Sequence, residues 1–144
     1  MQLRSCISGE AYTTDGRCEE CPANSYLLEA LKSPMECAAC PENGVCLGGN
    51  RIGPLPGYWR MNSESVNMMA CFNPSTCLGT IETAYVPQGT CLEGHEGFLC
   101  AECSLGYTGG TEYECHQCPP IVTNLIVSSI LVGLFLATMV VATR

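Results

Sequence analysis

The chain has 144 residues with thirteen cysteines, six bases and fourteen acids. About 9% cysteine falls in the range of disulfide scaffolds, and a formal net charge of −8 argues against nucleic-acid binding. There is no phosphate-binding loop, dinucleotide fingerprint, nucleophile elbow or metalloprotease helix, and no pair of acids is spaced for general acid–base work, so the chain reads as non-enzymatic.

The opening "MQLRS" lacks the apolar core of a signal peptide, so the stretch reads as a processed or partial piece of a longer protein. Residues 1–49 form a first cysteine-rich module. Within it, Cys18, Cys21, Cys37 and Cys40 are two Cys-x-x-Cys pairs with the spacing of a structural zinc ribbon. Zinc would occupy four thiols and leave nine without a role, and His95 and His116 lie far from that segment. A disulfide framework uses nearly all the cysteines, so no metal is expected. "NSYLLEALK" (24–32) predicts two helical turns capped by Asn24 or Ser25.

Residues 50–90 form a turn-rich connecting module. Tyr58 and Trp59 in "GPLPGYWR" either pack on nearby disulfides or present an aromatic surface to a partner or glycan. Met61, Met68 and Met69 read as a flexible apolar loop or contact surface, because no histidine accompanies them to suit copper. Residues 91–119 form a third module, in which Gly94, Gly97, Gly106, Gly109 and Gly110 suit tight hairpin turns.

Pairing the cysteines with their neighbours in order gives Cys6–Cys18, Cys21–Cys37, Cys40–Cys46, Cys71–Cys77, Cys91–Cys100 and Cys103–Cys115. Cys118 is left over and is the candidate unpaired thiol, or one that exchanges with Cys115. Sequence does not fix connectivity. This order keeps every loop short and splits each Cys-x-x-Cys pair between two bridges, avoiding the strained bridge within a pair.

The segment 120–143 contains 22 uncharged residues, Ile121–Ala142. At about 1.5 Å per residue they reach about 33 Å, enough for a hydrocarbon core about 30 Å thick. The rest of the chain has too few aliphatic residues to enclose a helix that is apolar on every side, so a transmembrane helix is expected. Arg144 lies beyond it without an acid. Removing that one charge from the total of −8 leaves −9 on the preceding residues. The positive-inside tendency then puts the C-terminus on the cytoplasmic or stromal side and the cysteines on the extracellular or lumenal side, where disulfides persist. Ser129, Gly133 and Ala137 recur every four residues and form a small-residue face for helix packing, opposite Leu131, Leu134 and Phe135, which suit lipid or a pigment edge.

Two stretches carry resemblances. "CISGEAYTTDGRCEEC" and "CPANSY", with Tyr12 and Tyr26 beside cysteines, resemble the repeats of tumour-necrosis-factor-receptor and ephrin-receptor-like cysteine-rich domains. "CLEGHEGFLCAECSLGYTGGTEYECHQC" resembles the second half of a laminin-type EGF-like module. The second resemblance implies that Cys91 pairs with Cys100, that Cys103 pairs with Cys115 or Cys118, and that Phe98 and Tyr107 are packed aromatics. The acids of a calcium-binding EGF entry are absent. The series as a whole is similar to cysteine-rich segments of large membrane proteins of ciliates, dinoflagellates and oomycetes, which implies architecture more than activity.

The expected fold is therefore a series of small disulfide-rich irregular and β modules followed by one C-terminal transmembrane α-helix. The expected role is a non-catalytic single-pass membrane protein whose stapled outer domain serves a larger membrane assembly as a structural or accessory subunit. Its partners are integral-membrane proteins and the lipid bilayer, with no intrinsic cofactor. A photosynthetic assembly fits the lack of an Asn-x-Ser/Thr sequon, as in a thylakoid lumen. The alternatives are a fragment of a receptor or adhesion ectodomain, and a membrane-tethered thiol oxidoreductase. The second lacks the βαβ context that makes a Cys-x-x-Cys motif thioredoxin-like.

Overall fold

The computed structural model describes residues 4–29, 36–80 and 85–143. Among them, fourteen strands of two or three residues pair only with one partner each, giving seven antiparallel ribbons. In chain order these are β1 (Glu10–Tyr12) with β2 (Cys18–Glu20), β3 (Ser25–Tyr26) with β4 (Ala38–Ala39), and β5 (Gly44–Cys46) with β6 (Ile52–Pro54). Then come β7 (Tyr58–Arg60) with β8 (Met68–Ala70), β9 (Cys77–Gly79) with β10 (Thr90–Cys91), β11 (His95–Glu96) with β12 (Glu102–Cys103), and β13 (Tyr107–Gly109) with β14 (Cys115–Gln117). Helix α1 (Ile121–Ala142) ends the series.

Six of the seven ribbons are entered the same way. The amide three residues along donates back across a β-turn in Ile7–Glu10, Pro22–Ser25, Pro41–Gly44, Leu55–Tyr58, Leu92–His95 and Ser104–Tyr107. The third residue of each (Gly9, Asn24, Asn43, Gly57, Gly94 or Gly106) has a positive φ between 60° and 93°. That is a type II turn, and it explains why only glycine or asparagine stands there. Each ribbon is then closed by the residue following its second strand. The amides of Cys21, Cys40, Leu55, Cys71, Ser104 and Cys118 donate to the carbonyls of those same six turn residues. The chain is thus a repeated turn–ribbon–closure unit. The β9–β10 ribbon departs from it: a short 3₁₀ turn (Pro74–Thr76), capped by Asn73, precedes it, and Leu92 donates to Thr76.

A two-stranded ribbon is marginal alone in water, and here the disulfides brace the series. The bridges are Cys6–Cys18, Cys21–Cys37, Cys40–Cys46, Cys71–Cys77, Cys91–Cys100 and Cys103–Cys115, each joining cysteines 6 to 16 residues apart. Buried core is scarce. The one sizeable cluster packs Cys71, Cys77, Leu99 and Cys100 under Trp59, Met69 and Cys91. Ribbons also touch backbone to backbone. A Cβ on Gly9 would lie 2.7 Å from the Asn50 nitrogen, so that contact admits only glycine.

One sequence expectation differs from this arrangement. Within the described part of 24–32 there is no helix. Asn24 is left-handed, Ser25 Oγ donates to the Pro22 carbonyl, and Ser25–Tyr26 pairs as β3 with β4. The type II turn therefore sends the chain into a ribbon where a helix cap was expected. The rest of that stretch lies outside the described residues. Strand pairs link the stretches on either side of residues 49 and 90, Val45 with Gly53 and Cys77 with Cys91.

At the N-terminal end Arg4 forks onto Glu10, Nη1 to Oε2 at 2.7 Å and Nη2 to Oε1 at 2.8 Å. The Arg4 hydrogen bonds, then the Ile7 amide, hold the Glu10 carboxyl below its usual range. A carboxyl with a depressed folded value stabilises above its unfolded value, near 4.3, and loses that contribution as pH falls through the folded value. The Arg4 side of the fork is open to solvent, so its contribution is small. NMR titration of Glu10 is expected to give a midpoint below about 4.3 that rises toward that figure in Arg4→Ala. An unshifted midpoint in the parent would show that the fork does not persist in solution.

Candidate interaction surfaces

Strand β7 alternates in direction, as strands do. Trp59 faces the disulfide cluster half-buried and meets Phe98 edge to face, with ring centroids 5.1 Å apart. Arg60 faces the opposite way and is 0% exposed. Among the described residues no carboxylate meets its guanidinium. Nε donates to the Ser65 carbonyl at 2.6 Å, Nη1 to those of Ile52 and Pro87, and Nη2 to that of Ser63. Tyr85 Oη also donates to Ile52 O, at 3.0 Å. A buried cation needs its lost hydration replaced, and four main-chain carbonyls supply that here. They come from β6, from the 61–67 loop and from the segment before β10, so one side chain ties three parts of the chain together. The sequence reading counted Arg60 only as a charge. Its signal was its position, one residue beyond Trp59 and hence on the opposite strand face.

Beside Arg60 opens a cleft of about 790 Å³, with Tyr26, Leu28 and Glu29 on one wall and Ser63, Glu64 and Tyr85 on the other. That volume lies within the range of small-ligand sites. Its described lining is made of hydroxyl, carboxylate, amide and apolar groups, which suit binding and orientation.

The residues singled out from sequence are spread along the molecule. Tyr58 and Trp59 are half-buried, and the more exposed rings are elsewhere. Phe72 and Tyr113 stack at 4.8 Å and are 59% and 50% exposed. Asn73 Nδ2 donates to the Glu112 carbonyl at 3.1 Å beside them, linking the second and third parts of the chain. Of the third-module aromatics, Phe98 is 46% exposed despite its contact with Trp59, while Tyr107 covers Gly94, where a Cβ would strike its ring. Tyr107 Oη donates to Glu93 Oε1 at 3.1 Å, and that bond pushes the phenol up from its ordinary range. Gly94, Gly97 and Gly106 have positive φ; Gly109 and Gly110 do not. Met68 and Met69 are strand residues of β8, leaving only Met61 in the loop.

The four cysteines with zinc-ribbon spacing are divided among three bridges, so they do not form a thiolate set. The one cluster of metal-ligating side chains among the described residues is Cys6, Glu10 and Cys18; its two sulfurs are bonded to each other and its carboxylate to Arg4. His95 is engaged at both nitrogens, Nε2 by the Cys115 amide at 3.1 Å and Nδ1 against the Glu93 carbonyl at 3.2 Å. The Cys-x-x-Cys motifs at 18/21, 37/40 and 100/103 each contribute to two bridges, while in the fourth Cys115 is bridged and Cys118 is the exposed free thiol among the described residues.

Helix α1 is long and apolar enough to cross a membrane, and no residue of it is buried against the rest of the chain. Ser129 and Gly133 lie in a shallow groove between Leu125, Val132 and Leu136, and Ser129 Oγ donates to the Leu125 carbonyl at 2.7 Å. Ala137 continues the same face one turn on. Comparison with family models, curated proteins and solved structures finds no match to this chain.

Proposed function

We propose that the chain is a non-catalytic single-pass membrane protein whose disulfide-braced ribbon series is a lumenal or extracellular interaction module serving a larger membrane assembly. One observation carries the reading. A rigid, bridged domain leads directly into an apolar helix that nothing in its own chain covers. Bridges support the oxidising side for the ribbons. Binding surfaces are present, in the cleft and the exposed aromatics.

The test is recovery of the full chain in mild detergent. Defined integral-membrane proteins recovered with it support the subunit role, and a monodisperse monomer overturns it. The small-residue face supplies the sharper version. A Cβ on Gly133 meets nothing within 4 Å in its own chain, so a larger residue there disturbs only what lies outside. Gly133→Leu is expected to weaken association across α1 by blocking close backbone approach, with insertion and disulfides unchanged. Complex mass identical to the parent's would remove that face as the contact.

A further inference from the structure

The six type II turns that open the ribbons differ at their outer corner, the second residue. It is Ser8, Ala23, Glu42, Pro56 or Glu93 in five of them, each small, polar or proline. In the sixth it is Leu105, which is 101% exposed. An isolated exposed leucine is ordinary on a protein surface, but the position of this one is not. The ribbon it opens is the last before α1, and its closing bond runs from the Cys118 amide to the Gly106 carbonyl at 2.8 Å. The turn is therefore held at the level of Cys118, and Ile121 begins α1 three residues later. Three residues of extended chain span at most about 10 Å. The far end of the same ribbon, residues 110–114, points away from that base and carries Glu112 and Glu114. Around the base itself, residues 104–109 and 115–123 contain no acid and no lysine or arginine.

We infer that Leu105 seats in the surface of the bilayer that α1 crosses, making the β13–β14 ribbon a second, shallow attachment beside the helix. The inference rests on the spanning role proposed above for α1. Apolar groups held at such a boundary bury roughly 5–10 Å into it. The absence of fixed charge at the base, and net −9 on the residues before α1, favour a zwitterionic surface over an anionic one. Two points of attachment would fix the tilt of the outer domain, which a single helix followed by a short link does not.

The test uses tryptophan substitutions in the full chain, reconstituted into phosphatidylcholine vesicles with and without brominated acyl chains. The emission of the single native Trp59 is subtracted as the parent signal. Leu105→Trp is expected to emit at shorter wavelength in vesicles than in detergent-free buffer fragments of the same turn, and to lose emission in brominated lipid. Tyr113→Trp, at the far end of the ribbon, is expected to lose none. Val127→Trp, two turns into α1, reports the helix independently. If Val127→Trp is quenched and Leu105→Trp is not, the seating of Leu105 is overturned while the spanning helix stands. A blue-shifted Leu105→Trp without quenching means that protein covers the turn, which also overturns it. If Val127→Trp is itself unquenched, the spanning reading and this inference fail together. Alkylation without reductant confined to Cys118 verifies that each variant keeps its bridges.

Discussion

Full reduction of the six bridges is expected to unfold residues 4–118 while leaving α1 helical in lipid. Closing loops of this length is worth about 2–3 kcal/mol each in the chain-entropy model. Six at about 2.5 kcal/mol give on the order of 15 kcal/mol, as large as the whole stability of an ordinary domain, about 5–15 kcal/mol. The ribbons cannot replace it, because they are two or three residues long and the main buried cluster is itself built largely from cystine sulfur. Helix α1 shares no buried surface with them and keeps its own hydrogen bonds. Far-ultraviolet circular dichroism in vesicles should therefore retain the helical signal as the reductant is raised, while amide protection at the six turn closures disappears. Persistence of those protected amides in fully alkylated protein would show that the hydrogen-bonded repeat is sufficient without bridges.

Arg60→Ala is expected to be the most damaging substitution outside the cysteines. It empties the volume of a fully buried side chain and leaves the Ser63, Ser65 and Pro87 carbonyls without that donor. Leaving a buried hydrogen-bonding group unsatisfied costs about 1–3 kcal/mol, and the emptied volume adds to that. Arg60→Lys should recover little, since an ammonium on a flexible stem does not match a planar fork reaching four carbonyls. Arg60→Met restores bulk without donors and separates packing from hydrogen bonding. The denaturant midpoint of the oxidised chain reads the loss, and hydrogen exchange in the 61–67 loop locates it. A midpoint for Arg60→Met equal to the parent's would mean the carbonyls are satisfied by water and the guanidinium serves only as filler.

The parts legible in the sequence were those set by composition or by short spacing. An uncharged run of 22 residues announces a helix by length alone, and cysteines a few residues apart have few partners within reach. Strands of two or three residues carry no readable alternation, so the ribbons were not legible as such. Their turns were: "PANS", "PENG" and "LPGY" each place glycine or asparagine where a type II turn needs it. Reading cysteines as the frame hid that repeat, and the same "PANS" was taken instead for a helix cap. The burial of Arg60 was only faintly signalled, for a different reason. Arginine is normally exposed, and nothing local announces that carbonyls from residues 52, 63, 65 and 87 converge on it.

The strict succession of the bridges bears on how the molecule is made. By the counting that gives 105 arrangements for eight cysteines, twelve allow roughly ten thousand. A chain that emerges from its N-terminus meets almost none of that choice. From Cys6 onward, every second cysteine of these twelve appears with its native partner as the nearest unbonded one behind it, never more than 16 residues away. Each rung can therefore lock before the next is synthesised, without an isomerase having to undo long-range errors. Cys118 emerges after these twelve, when each of them is already taken.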